Sequence, residues 1–134
     1  MGKVTGWERA LVEVCHAWRD RPFAWGSADC LHFCIACERA MTGASVLDGF
    51  PNYRTERGGY RHMRKMGFRD IPSFIDSKFS RVPVAAARRG DWVMLAQKTG
   101  PAFGVVVGRD VAVMSETGLS YYPALSGGMA WHVI

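Results

Sequence analysis

Residues 25–37 read Trp-Gly-Ser-Ala-Asp-Cys-Leu-His-Phe-Cys-Ile-Ala-Cys, and the reading of this stretch decides the fold. Taken as spacing alone, Cys30, Cys34 and Cys37 form C-x3-C-x2-C, a pattern able to cradle an iron–sulfur cluster. Taken as a helix that opens after Asp29, the same residues put Cys30 in the first turn, where a nucleophile can sit. Between Cys30 and Met41 there is neither Gly nor Pro, Ser27 or Asp29 can cap the start, and Gly43 follows the end. These are helix signals. On a helix Cys30, Cys34 and Cys37 fall within one stripe, which Phe33 and Met41 join. Free cysteine packs as a small hydrophobe, so the stripe reads as a core face. Cluster-binding runs belong to loops that wrap an inorganic core. No metal or cofactor is therefore expected, although Cys15 stands as a conceivable fourth ligand beside the three.

Working outward, Thr5-x-x-Glu8 has the form of a capping box. Trp7, Leu11, Cys15 and Trp18 follow at helical spacing, which predicts an amphipathic helix over 6–19. Arg21–Gly26 breaks it. A third helix is expected over 55–66, stopped by Gly67, and a short fourth over 72–79. After Pro83 the character changes. Residues 91–96, 103–107, 111–114, 119–122 and 130–134 are short and β-rich, separated by Gly-containing or polar turns. Helices first and a strand meander second predict an α+β fold, one domain over 1–134, helical over about 5–80 and stranded over about 90–134.

The composition suits a globular chain: 134 residues, 49% hydrophobic and 22% charged. No apolar run approaches the roughly 20 residues of a membrane span, and no signal peptide opens the chain. Synthesis in the cytoplasm is the expectation, where thiols stay reduced. The net charge of +5 concentrates in residues 54–65, where Arg54, Arg57, Arg61, Arg64 and Lys65 recur at near-helical spacing. Such a stripe is a solvated face first and a surface for an acidic partner second. No nucleic-acid-binding motif accompanies it.

Cys30 differs from its neighbours because of its place. The first turn of a helix offers unpaired N–H groups and a positive dipole end, which favour thiolate over thiol. A nucleophile also needs a base. His32 lies about 200° around the helix from Cys30. His16 and His62 fall on surface-helix patterns. His132, on the terminal strand, is the remaining candidate.

Phe23-Ala-Trp-Gly26 followed by Asp29-Cys30 resembles the Tyr-x-Trp-Gly … Asp-Cys signature of NlpC-type cell-wall cysteine peptidases. Arg88-Arg-Gly-Asp-Trp-Val93 is similar to the Gly-Asp that opens their first core strand, and Gly104-Val-Val-Val-Gly108 to the next strand. The chain also resembles small phage and prophage tail proteins related to those peptidases, through Trp7, Trp25 to Cys30, Tyr53-Arg-Thr-Glu-Arg-Gly58 and Ala130-Trp131. The resemblance implies a papain-like fold with Cys30 at the nucleophile's position. It also implies departures. The base histidine's position holds Ala102, the oxyanion-supporting Tyr is Phe23, and the Ser-Gly after the nucleophile is Leu31-His32.

Two readings follow. In the first, the protein is a structural part of a phage tail tip or baseplate on a degenerate NlpC-like fold. It contacts hub or distal-tail proteins through its tryptophans and the Arg54–Lys65 stripe, and ends in the virion. In the second, it is an active peptidoglycan endopeptidase that uses Cys30 to open the cell wall, with His132, Ser115 or Glu116 brought close to the thiol.

Overall fold

The structure is a computed structural model that describes residues 2–48, 50 and 52–133. Helix α1 (Trp7–Trp18) buries Leu11 and Trp18 and leaves Arg9, Val12 and Glu13 in solvent. The capping box expected from Thr5 and Glu8 does not form. The N-cap is Gly6, with a left-handed φ of 79°, and no side chain caps the turn. The cause lies outside the helix. Val4 N–H donates to the Met41 carbonyl at 2.8 Å, which fastens the N-terminal segment to another helix and sets where α1 begins.

Helix α2 (Cys30–Thr42) runs from the Asp29 N-cap to Gly43, whose φ of 91° closes the helix. It is buried on two opposite sides. Phe33, Cys34, Cys37 and Met41 pack with α1 and the sheet, and Leu31 and Ile35 pack with Leu47, Met63 and Phe74. Cys34 and Cys37 have no exposed surface, so the core-face reading holds for both. Helix α3 (Glu56–Lys65) is capped by Thr55 and contributes Met63 to that second cluster. Helix α4 (Ile71–Asp76) is shorter than the expected 72–79 and starts one residue earlier, because Asp70 and Ser73 form a reciprocal capping box.

The strands are β1 (Ser80–Val82), β2 (Trp92–Gln97), β3 (Gly100–Val106), β4 (Asp110–Ser115), β5 (Gly118–Pro123) and β6 (Met129–His132). They form one antiparallel sheet in the order β1-β6-β2-β3-β4-β5. The fold is therefore α+β, with helices before the sheet. Strand β1 lies outside every sequence signal, and it exists because β6 returns to pair with it. Asp76 secures that corner, accepting from Trp131 Nε1 at 2.8 Å and from Arg81 Nε at 2.9 Å. Ile134, the last residue of the expected closing strand, lies outside the described residues.

Both sheet faces are covered. Trp92, Phe103, Val105, Ala112 and Trp131 face the helices. Val93, Val106, Val111, Val113 and Ala130 face the other way, where Val82, Val84 and Ala87 pack on them. Trp18, Trp92 and Trp131 are thus core residues and cannot serve as docking anchors. Trp7 is half-buried, and Trp25 remains 40% exposed. Among the described residues, no helix is long and apolar enough to cross a membrane.

Gly104 in β3 is where the sheet tolerates least. A Cβ there would lie 2.3 Å from the Ala112 carbonyl oxygen and under 3 Å from Val111 and Val113 side chains. Gly104→Ala is expected to lower the urea midpoint, at unchanged slope, by the equivalent of about 1–3 kcal/mol. An unchanged midpoint would show that β4 shifts without strain.

Candidate functional site

Two adjoining cavities meet at Cys30. The inner one, about 50 Å³, is walled by Asp29, Cys30, Tyr53, Tyr60 and Phe103 among others. The outer one, about 480 Å³, is walled by Phe23, Trp25, Cys30, Ala102, Ser115, Glu116 and Tyr122 among others. Trp25, Glu56 and Pro101 line both, so the two form one cleft.

The cleft's inner end is built on Asp29. Its carboxylate is 1% exposed and accepts hydrogen bonds from Gly26 N–H (2.9 Å), His32 N–H (2.8 Å), His32 Nδ1 (2.8 Å) and the Tyr53 hydroxyl (2.6 Å). Burial alone would raise its pKa. The bonds from the His32 ring, Tyr53 and the two backbone N–H groups outweigh that and hold the carboxyl below its ordinary value. Burial, followed by the charge of Asp29, pushes the Tyr53 hydroxyl the other way, well above its usual range.

Two glycines let Tyr53 approach this closely. A Cβ on Gly26, where φ is 82°, would fall 1.7 Å from the Tyr53 carbonyl oxygen, and one on Gly59 would touch the Tyr53 ring at 3.2 Å. The Trp-Gly … Asp-Cys stretch and the Tyr-Arg-Thr-Glu-x-Gly stretch are therefore two halves of one packed joint. The sequence marks both stretches, and only the fold shows that they interlock.

Cys30 stands at the head of α2, as expected, but its ionisation does not follow the expectation of a favoured thiolate. Burial raises the thiol, a backbone hydrogen bond from Phe103 opposes this, and the neighbouring Asp29 charge raises it further, to about 11. The helix dipole favours the thiolate by about 0.3–1 kcal/mol, whereas two pKa units correspond to about 3 kcal/mol. Desolvation wins.

No histidine is placed to activate this thiol. Among the described residues, no imidazole lines either Cys30 cavity. Ala102 and Cys30 share the outer wall, so the position that the peptidase resemblance gives to the base carries a methyl group. The His32 ring is held by Asp29 and packs on Tyr53, with ring centroids 5.5 Å apart. His132 is bound elsewhere: its Nδ1 lies 3.0 Å from Asp91 Oδ1. Its neighbours Trp131, in β6, and Val133, just past it, lie in the helix-side core, while His132 lines neither Cys30 cavity. Ser115 and Glu116 do reach the Cys30 cavity, with the Ser115 hydroxyl donated to the Gly118 carbonyl at 2.7 Å. Among the described residues, no group of three or more His, Cys, Asp or Glu side chains is placed to hold a metal, so the four cysteines do not gather into a ligand set.

Residues 2–133 match the family model described as Domain of unknown function (DUF6950), and the chain belongs to that family. No curated protein matches it.

Two outcomes follow from this geometry. With a pKa near 11, roughly one Cys30 in ten thousand is ionised at neutral pH, against a few per cent of an ordinary cysteine. Alkylation of Cys30 by iodoacetamide, followed by peptide mass spectrometry, is expected to be about a hundredfold slower than that of glutathione, and equal rates would refute the assignment. Asp29 titrates lower in the folded state than the unfolded value of about 3.9, so its contribution to stability is complete above that pH and is lost as pH falls through the folded value. Tyr53→Phe should cost about 1–3 kcal/mol at neutral pH, and its deficit should narrow below about pH 4. Chemical denaturation across that range checks both the size and the sign.

Proposed function

We propose that this member of the family is a structural component of a phage or prophage tail tip, on a papain-like, NlpC-like domain whose catalytic site has degenerated. The loss of hydrolysis rests on one observation: no imidazole lines the cleft at Cys30 among the described residues. The partly buried thiol, its pKa pushed up to about 11, adds to it. Amide cleavage through a thioester needs a thiolate to attack and an acid to protonate the leaving amine. General acid–base help is worth about 10²–10⁴-fold, and the residues around Cys30 include no histidine to supply it. The tail assignment rests on the resemblance carried by Trp25 to Cys30, Tyr53 to Gly58 and Ala130-Trp131.

Docking falls to the basic face of α3. Arg57, Arg61, Arg64 and Lys65 fall within about 100° of the helix circumference. All four are exposed, and none makes an ion pair among the described residues. An acidic surface on a hub or distal-tail protein would match it. The second reading, an active peptidoglycan endopeptidase, has Glu116 in its favour, since this carboxylate shares the outer cavity with Cys30.

Purified protein incubated with peptidoglycan is expected to release no stem peptide, with Cys30→Ala as control. Release by the native protein alone would make the domain an endopeptidase. In pull-downs against hub and distal-tail proteins, Arg57→Glu with Arg61→Glu and Arg64→Glu is expected to abolish capture. Undiminished capture would move the docking surface off α3, and absence of the protein from purified particles would end the tail reading.

A further inference from the structure

Away from the Cys30 cleft lies a depression of about 520 Å³, bordered by the start of α1, the Arg88–Arg89 turn before β2 and the end of β6. Its volume is within the range of small-molecule sites. Lys3, Arg88, Arg89 and His132 line it, with Glu8 as the one carboxylate. Lys3, Arg88 and Arg89 make no ion pair among the described residues. Three permanent cations therefore share a concave surface with one anion.

The groups are held rather than merely near. Asp91, wholly buried, accepts from Arg88 N–H at 2.8 Å, from Val133 N–H at 3.1 Å and from His132 Nδ1 at 3.0 Å. A carboxylate accepts only, so Nδ1 carries the proton in that bond and Nε2 is an acceptor, facing the Arg88 Nη2 donor at 3.5 Å. Gly90, at a φ of 93°, gives the Lys3 stem its room, since a Cβ there would lie 3.3 Å from Lys3 Cε and 2.8 Å from Met41 Sδ. The Lys3 ammonium then rests 4.9 Å above the Trp7 ring. The first turn of α1 borders the same space, and its N-cap, Gly6, supplies no side-chain acceptor. The positive end of that helix adds to the field of the side chains.

We propose that this depression is a binding site for a phosphate group. Lysine and two guanidinium groups converge from two chain segments, with His132 Nε2 orienting the Arg88 guanidinium, and a doubly charged tetrahedral oxyanion can accept from several of these cations at once. A planar carboxylate would satisfy one guanidinium fork and leave the others unanswered. The site is independent of Cys30, so it stands whether or not the cleft is catalytic.

Titration of the whole protein with inorganic phosphate and with pyrophosphate, by calorimetry and by amide chemical shifts of residues 88–91 and 132, tests the site. Saturable binding is expected, weakened at least about tenfold by Arg88→Ala with Arg89→Ala. Both residues are exposed, and an unchanged thermal midpoint confirms that the variant folds. Arg57→Ala with Arg61→Ala, on the α3 face, should bind as the native protein does. No saturable response, an equal response to acetate, or equal loss in the α3 variant would overturn the proposal. Vesicles carrying phosphatidic acid separate the sources: Arg88- and Arg89-dependent sedimentation assigns a lipid-borne phosphate, and phosphate binding without sedimentation assigns a soluble ligand.

Discussion

A buried carboxylate at position 29 is the constraint around which the helical half is arranged. An ion taken out of water is tolerated only when its oxygens are fully engaged. Asp29 meets that demand with four hydrogen bonds drawn from the Trp-Gly turn, the first turn of α2 and the segment before α3. Each donor fixes backbone as well as charge. Gly26 must be left-handed and lack a side chain, because the Tyr53 carbonyl occupies the space a Cβ would need. Tyr53 in turn lies against Gly59, so α3 is positioned by the same knot.

That knot has a chemical consequence one residue later. The packing that satisfies Asp29 also leaves Cys30 only partly exposed and sets a negative charge beside it. Both effects favour the thiol, and together they exceed what the helix terminus offers to the thiolate. A cysteine at the head of a helix is reactive only where water or a cation also reaches it. Here position and environment oppose each other, and environment prevails.

Asp91 repeats the device at the start of the sheet. It too is buried, and it too accepts from backbone N–H groups and from the Nδ1 of an imidazole. The two aspartates precede α2 and β2, elements from opposite halves of the chain, and each orients one histidine. Both imidazoles are thereby committed outside the cavities that Cys30 lines. The absence of an imidazole from the cleft is thus tied to the stabilisation of two turns.

The sequence by itself determined the elements: four helices, five of six strands and the change from helix to strand near Pro83, because spacing, caps and turn residues act over a few neighbours. It also placed Cys30 at the head of a helix and Cys34 and Cys37 in a core. The N-terminal cap is Gly6 rather than Thr5 because a hydrogen bond from Val4 to the distant Met41 sets the helix start. Strand β1 was invisible because three residues carry no period and gain their partner from β6, about fifty positions later. The tertiary structure alone decided which side chains share a cavity, which histidine meets which aspartate, and how much water reaches the thiol. Those properties depend on segments far apart in the chain brought together by the sheet's pairing order and by two buried charges that had to be satisfied.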